Sequence, residues 1–173
     1  MRELLLTRNN FPFEIRQGLC EVIMAQYQGV EACQKVKENI QSLLQNNTFT
    51  ITTGQQIVTG LGPWMILYKI ATTIQLSEKW KSLIPECHFV PIFWMATEDH
   101  DWLEIAQIQF GDHQYKWDPT QTGAVGRMSP QSTAVAIEQW NLENAQYAFS
   151  EEILTFYKTS ATLAEAVRKI ANH

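Results

Sequence analysis

Long hydrophobic runs are missing from this chain. No apolar stretch reaches the roughly 18 residues that crossing a bilayer requires, so no membrane span is expected. The opening stretch carries only a three-leucine apolar segment, too short for a secretion signal. Basic charge is scarce too: 13 Lys and Arg stand against 18 Asp and Glu, for a net charge of −5. That balance argues against a nucleic-acid partner, which would select a basic surface. Cysteine is sparse. Cys20, Cys33 and Cys87 stand far apart, in no C-x-x-C pair. An odd, scattered set reads as reduced thiols of a cytoplasmic protein, not a disulfide frame, and each is expected to be a small buried apolar residue. Nucleotide signatures are absent, since neither G-x-G-x-x-G nor a P-loop occurs. There is no internal repeat and no low-complexity tract.

What remains suits one globular domain. The chain has 173 residues, 45% of them hydrophobic and 18% charged. At this length folding buries roughly two-thirds of the unfolded surface, so a real core can form. Residues from about Glu14 to Leu44 read as helix, with Ile15, Leu19, Val22 and Ile23 on one face. Gly29 interrupts, and Val30, Cys33, Val36, Ile40, Leu43 and Leu44 mark a second face. "TFTITT" from Thr48 is rich in β-branched residues and reads as a short strand. "GQQIVTGLGP" reads as a loop. Pro63 suits the first turn of a following helix. That helix, "PWMILYKIATTIQLSEKWKSLI", is apolar on most sides and is expected to be largely buried. Pro85 stops it, and "HFVPIFWMA" reads as a second strand.

Strand, helix, strand over about fifty residues is the spacing of a βαβ crossover with two parallel strands. Pro91 cannot donate to a ladder, so the second strand should be bulged or near an edge. Beyond Asp101, "LEIAQIQF" and "HQYKW" flank a Gly-Asp turn signal and suggest a hairpin. "TQTGAVGRMSPQST" reads as loop. Asn141 to Asn172 reads as mostly helix, broken near "KTSAT", where Thr162 or Ser160 caps a final helix. Residues 1–47 thus form an N-terminal helical segment and 48–118 a βαβ core with two site loops. Residues 119–173 form a loop and C-terminal helices, ending before the rest of such a core.

Both strands, if parallel, send their carboxyl ends to one edge of the sheet, where ligands of open α/β sheets sit. The first loop there holds Gly54, Gln55, Gln56, Gly60 and Gly62. Its glycines permit positive φ and close backbone approach, and a helix N-terminus follows, favourable to an anion. A plain strand-to-helix connection explains the same spacing. Lys69 either reaches that anion or snorkels its charge to solvent. The second loop sets Glu98, Asp99, His100 and Asp101 in a row. Crowded carboxylates repel, so a dry site would raise the pKa of at least one of them, with His100 an acid or base near neutrality. Four consecutive residues cannot all face one ion without a sharp turn, so no metal site is assigned; a metal-dependent hydrolase stays an alternative. The bland alternative is capping, since Asp101 and Glu104 have capping-box spacing. His88 and His113 are expected to be structural or surface residues. Trp64, Trp80, Trp94 and Trp102 are expected in the core.

The blocks "TITTGQQIVTGLGPWMILYKIATTIQLSE" and "VPIFWMATEDHDWLEI" together resemble the bacillithiol-biosynthesis cysteine-adding enzymes, the BshC family of cysteine ligases. The shared features are Thr53-Gly54-Gln55-Gln56, then Gly62-Pro63, then Tyr68, Lys69, Thr72, Ile74 and Leu76, then Phe93 to Ile105. Weaker echoes fall at Val125-Gly126-Arg127 and Ala161 to Ala164; the first fifty residues match only in helical character. The resemblance implies an α/β fold, a partial Rossmann-like core of nucleotidyltransferase type, with a βαβ unit, the hairpin and flanking helices. It implies the last step of bacillithiol synthesis, in which the carboxyl group of cysteine joins the amine of glucosaminyl malate. A nucleotide such as ATP is the natural activator, although the resemblance leaves the cofactor unassigned. On that reading Thr53, Gly54, Gln55, Gln56, Gly60, Gly62 and Lys69 hold an anionic group. The catalytic set is Glu98, Asp99, His100 and Asp101, which orient the amine or take its proton.

Members of the family run much longer and end in a helical coiled coil. The expectation is therefore an N-terminal fragment, a split gene's first piece or a decayed copy, inactive alone and needing a separately encoded C-terminal portion. A non-catalytic interaction module is the alternative. Two strands with open ladder edges predict exposed apolar surface and self-association.

Overall fold

The computed structural model describes residues 11–62, 64–118 and 120–173, together with Leu5 and Thr7. Pro63, expected at a helix start, lies outside the described residues, and so does the side chain of Trp64. The elements run in the order α1 (Phe13–Gln26), α2 (Gln34–Ser42), β1 (Thr48–Gln56), α3 (Trp64–Leu83) and β2 (His88–Ala96). They continue with α4 (Trp102–Ile105), β3 (Gln107–Phe110), β4 (His113–Lys116), α5 (Gln131–Asn144), α6 (Ser150–Thr159) and α7 (Leu163–Asn172). Short 3₁₀ turns occur at Thr59–Leu61 and Val125–Arg127.

β1 pairs with β2 in a two-stranded sheet. The strands start side by side, His88 N–H donating to Asn47 O at 2.9 Å, and run parallel around α3, the βαβ unit expected. Pro91 is tolerated because each strand of a two-stranded sheet has an open edge where an N–H is not required. β3 and β4 form the expected antiparallel hairpin, with Ile108 opposite Tyr115 and a turn at Gly111-Asp112. Gly111 has φ +58°, which suits the first position of a two-residue turn.

The chain divides into two compact units, residues 1–53 with 70–92, and residues 54–69 with 93–173. In the first, Cys20, Ile40, Leu43 and Val90 form a small core. Arg16 is buried there and donates to the carbonyls of Leu43 at 2.9 Å and Thr48 at 3.2 Å, fastening α1 to the start of β1. Burial pushes the Cys20 thiol up, and its Sγ donates to Ile40 O at 3.3 Å. Cys33 is exposed, against the expectation of burial, because it sits at the open N-terminal boundary of α2.

The second unit has the larger core, built from Ile57, Ile105, Tyr115, Trp117, Val125, Met128, Ile137, Leu154, Tyr157 and Leu163 among others. α7 is capped by Thr162, whose Oγ1 accepts from Glu165 N–H at 3.2 Å. α5 starts at Gln131, ten residues before the expected Asn141. Its Ser, Thr and Ala residues blur the apolar period there, while Thr133, Ala134, Ala136 and Ile137 nevertheless bury.

Three further expectations need correction. α3 is not largely buried: Ile66, Thr73 and Ser77 are, but Met65, Leu67, Tyr68, Ile74, Leu76 and Leu83 are exposed. Two parallel strands are too narrow a sheet to cover a helix that is apolar on most sides. Trp94 is 66% exposed instead of in the core; it lies beside Gly54 of β1, which has no side chain to cover it. β1 runs three residues beyond the expected strand, through Gly54, Gln55 and Gln56.

Candidate active site

The extension of β1 decides how the first motif works. Gly54 is extended strand, not a left-handed loop residue; among the glycines with positive φ are Gly60 (+64°) and Gly62 (+56°) instead. Its constraint is close approach, because a Cβ there would lie 3.3 Å from both Cβ and O of Trp94 on β2. A glycine lets the two strand ends draw together. Gly62 combines positive φ with crowding, its virtual Cβ meeting Val58 Cγ1 at 2.5 Å, so a glycine is required where the chain turns sharply into α3. Thr53 sits half-buried within β1.

Two contacts then define the strand end. Lys69 donates to Gln55 Oε1 at 2.9 Å and to Gly54 O at 3.4 Å, so its ammonium lies over the T-G-Q-Q backbone instead of extending to solvent. Gln56 Nε2 donates to Asp99 Oδ2 at 2.9 Å and to Glu104 Oε2 at 3.0 Å. A carboxylate only accepts, so both amide hydrogens of Gln56 are committed to the acidic segment. Gln56, Ile57, Ala96, Asp99, Asp101, Ile105 and Val125 line a tight crevice here.

The acidic loop is itself structured. Asp99 Oδ1 accepts from Asp101 N–H at 3.2 Å, an Asx-type turn. The Gln56 amide, then the Asp101 N–H, hold the Asp99 carboxyl below its ordinary value. For Asp99 this reverses the raised value expected of crowded carboxylates: donors, not dryness, dominate. Glu98 instead meets Arg127, 2.7 Å away, with both side chains well exposed. Asp101 precedes α4 but makes no side-chain cap bond, and Glu104 turns to Gln56, so the capping-box alternative is not realised. His100 is exposed beside Asp99. His88 is half-buried in β2 and His113 exposed in β4. No three His, Cys, Asp or Glu side chains converge as a metal-holding group among the described residues.

The loop after β1 is anchored from below. Thr59 is buried; its Oγ1 donates to Ile105 O at 3.1 Å and accepts from Trp117 Nε1 at 3.0 Å. Gly60 N–H donates to the Tyr157 hydroxyl at 3.0 Å. Burial pushes that phenol up to about 12, only partly offset by the Gly60 N–H. Sequence reasoning does not single out Thr59, Trp117 or Tyr157 as supporting residues. Nothing in their local spacing announces them, since their partners are 46, 58 and 97 positions away.

The structure thus brings Gly54, Gln55, Gln56 and Lys69 to one strand end, with Asp99 and Glu104 joined to it through Gln56. Among described residues, no helix is long and apolar enough to cross a membrane. The family described as bacillithiol biosynthesis BshC, N-terminal Rossmann-like domain, matches residues 2–173. The match therefore includes the first fifty residues, which motif reading links only by helical character. A protein of Flavobacterium johnsoniae named "Putative cysteine ligase BshC" is 37% identical over 168 residues, covering 95% of this chain and 32% of that one. Proteins of the same name from Cytophaga hutchinsonii and Flavobacterium psychrophilum are 38% and 39% identical, covering 90% and 91% of this chain. The chain spans about a third of the length of these relatives, between 28% and 32%.

Proposed function

The chain belongs to the bacillithiol biosynthesis BshC family, and on that premise we propose that it supplies one wall of a ligase site. The reaction joins the carboxyl group of cysteine to the amine of glucosaminyl malate. The observation that carries the reading is the Gln56 amide bridging Asp99 and Glu104, which makes one edge of two motifs 43 and 48 positions apart.

Amide formation places a positive charge on the attacking nitrogen. As the C–N bond forms, the activating group leaves the carboxyl carbon with its electron pair, and the nitrogen sheds a proton. His100 takes that proton on an imidazole nitrogen, as a general base. Asp99, kept ionised by its donors, faces the developing imidazolium with negative charge. Glu98 and Asp101 orient the incoming amine. Lys69, steered by Gln55 and Gly54, sets a positive charge where an anionic group of substrate would lie, with Gly60 and Gly62 shaping the turn beneath. The strand end lacks dinucleotide and P-loop spacing, so no residue of this chain is assigned to a nucleotide activator. Catalysis is assigned to a chain of the relatives' full length, of which this chain matches about a third.

The test incubates the purified chain with cysteine, glucosaminyl malate and ATP, with and without the remaining portion of a relative, and reads product by mass spectrometry. Product is expected only when the remaining portion is present. In a full-length relative, substitutions equivalent to Gln55→Ala and His100→Ala are expected to abolish product while leaving the fold intact. Wild-type product from both variants would remove the site assignment.

A further inference from the structure

We propose that the Val125–Gly126–Arg127 turn is the positioning element of the acidic loop, and that Gly126 acts in it through backbone contacts. The proposal takes its importance from the ligase reading, but its geometry stands apart from it.

Val125 N–H donates to Asp99 O at 2.8 Å, and Gly126 N–H donates to Thr97 O at 2.8 Å. Two consecutive donors thus grip carbonyls two residues apart, bracketing Glu98. These are short, well-formed backbone bonds between segments distant in sequence. Gly126 is buried, and its φ lies outside the left-handed range. Its glycine requirement is therefore one of space. A Cβ there would sit 2.5 Å from Thr97 Cβ, 2.7 Å from its O and 2.9 Å from its Cα. Two of these atoms are backbone, so no rotamer change relieves the overlap. The turn is also held from behind: Met128 O accepts from Leu163 N–H at 2.9 Å, and both residues are in the core.

The Arg127–Glu98 ion pair closes the same bracket, but its side chains are 76% and 67% exposed. Exposed pairs of this kind contribute little. The backbone grip, with the glycine that allows it, therefore sets the loop and with it the direction of the Asp99 carboxyl.

The experiment compares the full chain with its Gly126→Ala, Arg127→Ala and Gly18→Ala variants by NMR. Gly18 is the control, since a Cβ added there meets nothing within 4 Å. In the wild type, the Val125 and Gly126 amides are expected to be protected from exchange like those paired in the β3–β4 hairpin. In Gly126→Ala these two amides should exchange faster by about tenfold or more, the scale of one lost backbone bond. The Asp99 carboxyl should then titrate closer to its ordinary range. Arg127→Ala should leave exchange within about twofold of wild type, as an exposed pair predicts. Unprotected Val125 and Gly126 amides in the wild type would overturn the proposal, as would an Arg127→Ala effect equal to that of Gly126→Ala. Should Gly126→Ala fail to fold, the wild-type and Arg127→Ala measurements decide. None of these readouts requires turnover, so failure of the ligase reading would be seen separately.

Discussion

Replacing Tyr157 with phenylalanine should reverse the sign of its own effect between neutral and alkaline pH. The hydroxyl is buried, at 1% exposure for the residue, and accepts the Gly60 N–H at 3.0 Å. At pH 8 the variant loses this acceptor, a cost of about 1 kcal/mol for one hydrogen bond. The wild-type phenol, however, is pushed from 10.0 up to about 12 in the folded state. A raised folded value means that its stability is fully present below the unfolded value and is lost as pH rises through the folded one. Two pH units correspond to about 2.7 kcal/mol lost by the time pH passes the folded value, and about 1.4 kcal/mol by pH 11. The phenylalanine ring of the variant cannot ionise, so its stability lacks this loss. The two curves should cross between about pH 10.5 and 11, where the ionisation penalty equals the lost hydrogen bond. Urea unfolding of both proteins from pH 8 to about 11.5, followed by tryptophan fluorescence, reads the difference and cancels every group they share. Parallel curves across this range, or a Tyr157 phenol ionising at the ordinary tyrosine value, would refute the reasoning.

Two further outcomes follow from the same structure. Asp99→Asn should flatten the acid limb of stability: the depressed carboxyl stabilises above its unfolded value of 3.8, and that share is lost as pH falls through the lower folded value. Urea midpoints at pH 6 and pH 3 measure it, and an unchanged wild-type-to-variant gap would count against the Gln56 contact. The chain is also expected to self-associate, since Ile15, Leu19 and Val22 recur at helical spacing on α1 and all are exposed, with Phe11 exposed just before the helix. Sedimentation velocity across a concentration series should show a rising mean mass, and a single monomer boundary throughout would refute it.

Much of the fold was legible because its signals are local. The β-branched run at Thr48, the apolar run from His88 and the Gly-Asp turn announce strands and hairpin by composition alone. The acidic row at Glu98 stood out for the same reason. The end of β1 did not, because Gly54-Gln55-Gln56 has the composition of a loop; only the approach of Trp94 explains a strand there. The exposed face of α3 is not legible, because apolar content records what a helix could bury, whereas burial depends on what packs against it. Gly126 was illegible as a clamp. A glycine chosen for room looks the same in sequence as one chosen for a turn, and its partner Thr97 lies in a different loop, far back along the chain.

The paired glutamines at the end of β1 carry one more consequence. Neighbouring strand residues face opposite ways, so Gln55 reaches the lysine of the helix while Gln56 reaches the acids. The doublet behaves as a two-sided plug with chemically identical prongs. Sliding it one place in either direction would leave one prong seated and present Gly54 or Ile57 to the other socket. Each half of the pair therefore guards the alignment of its twin.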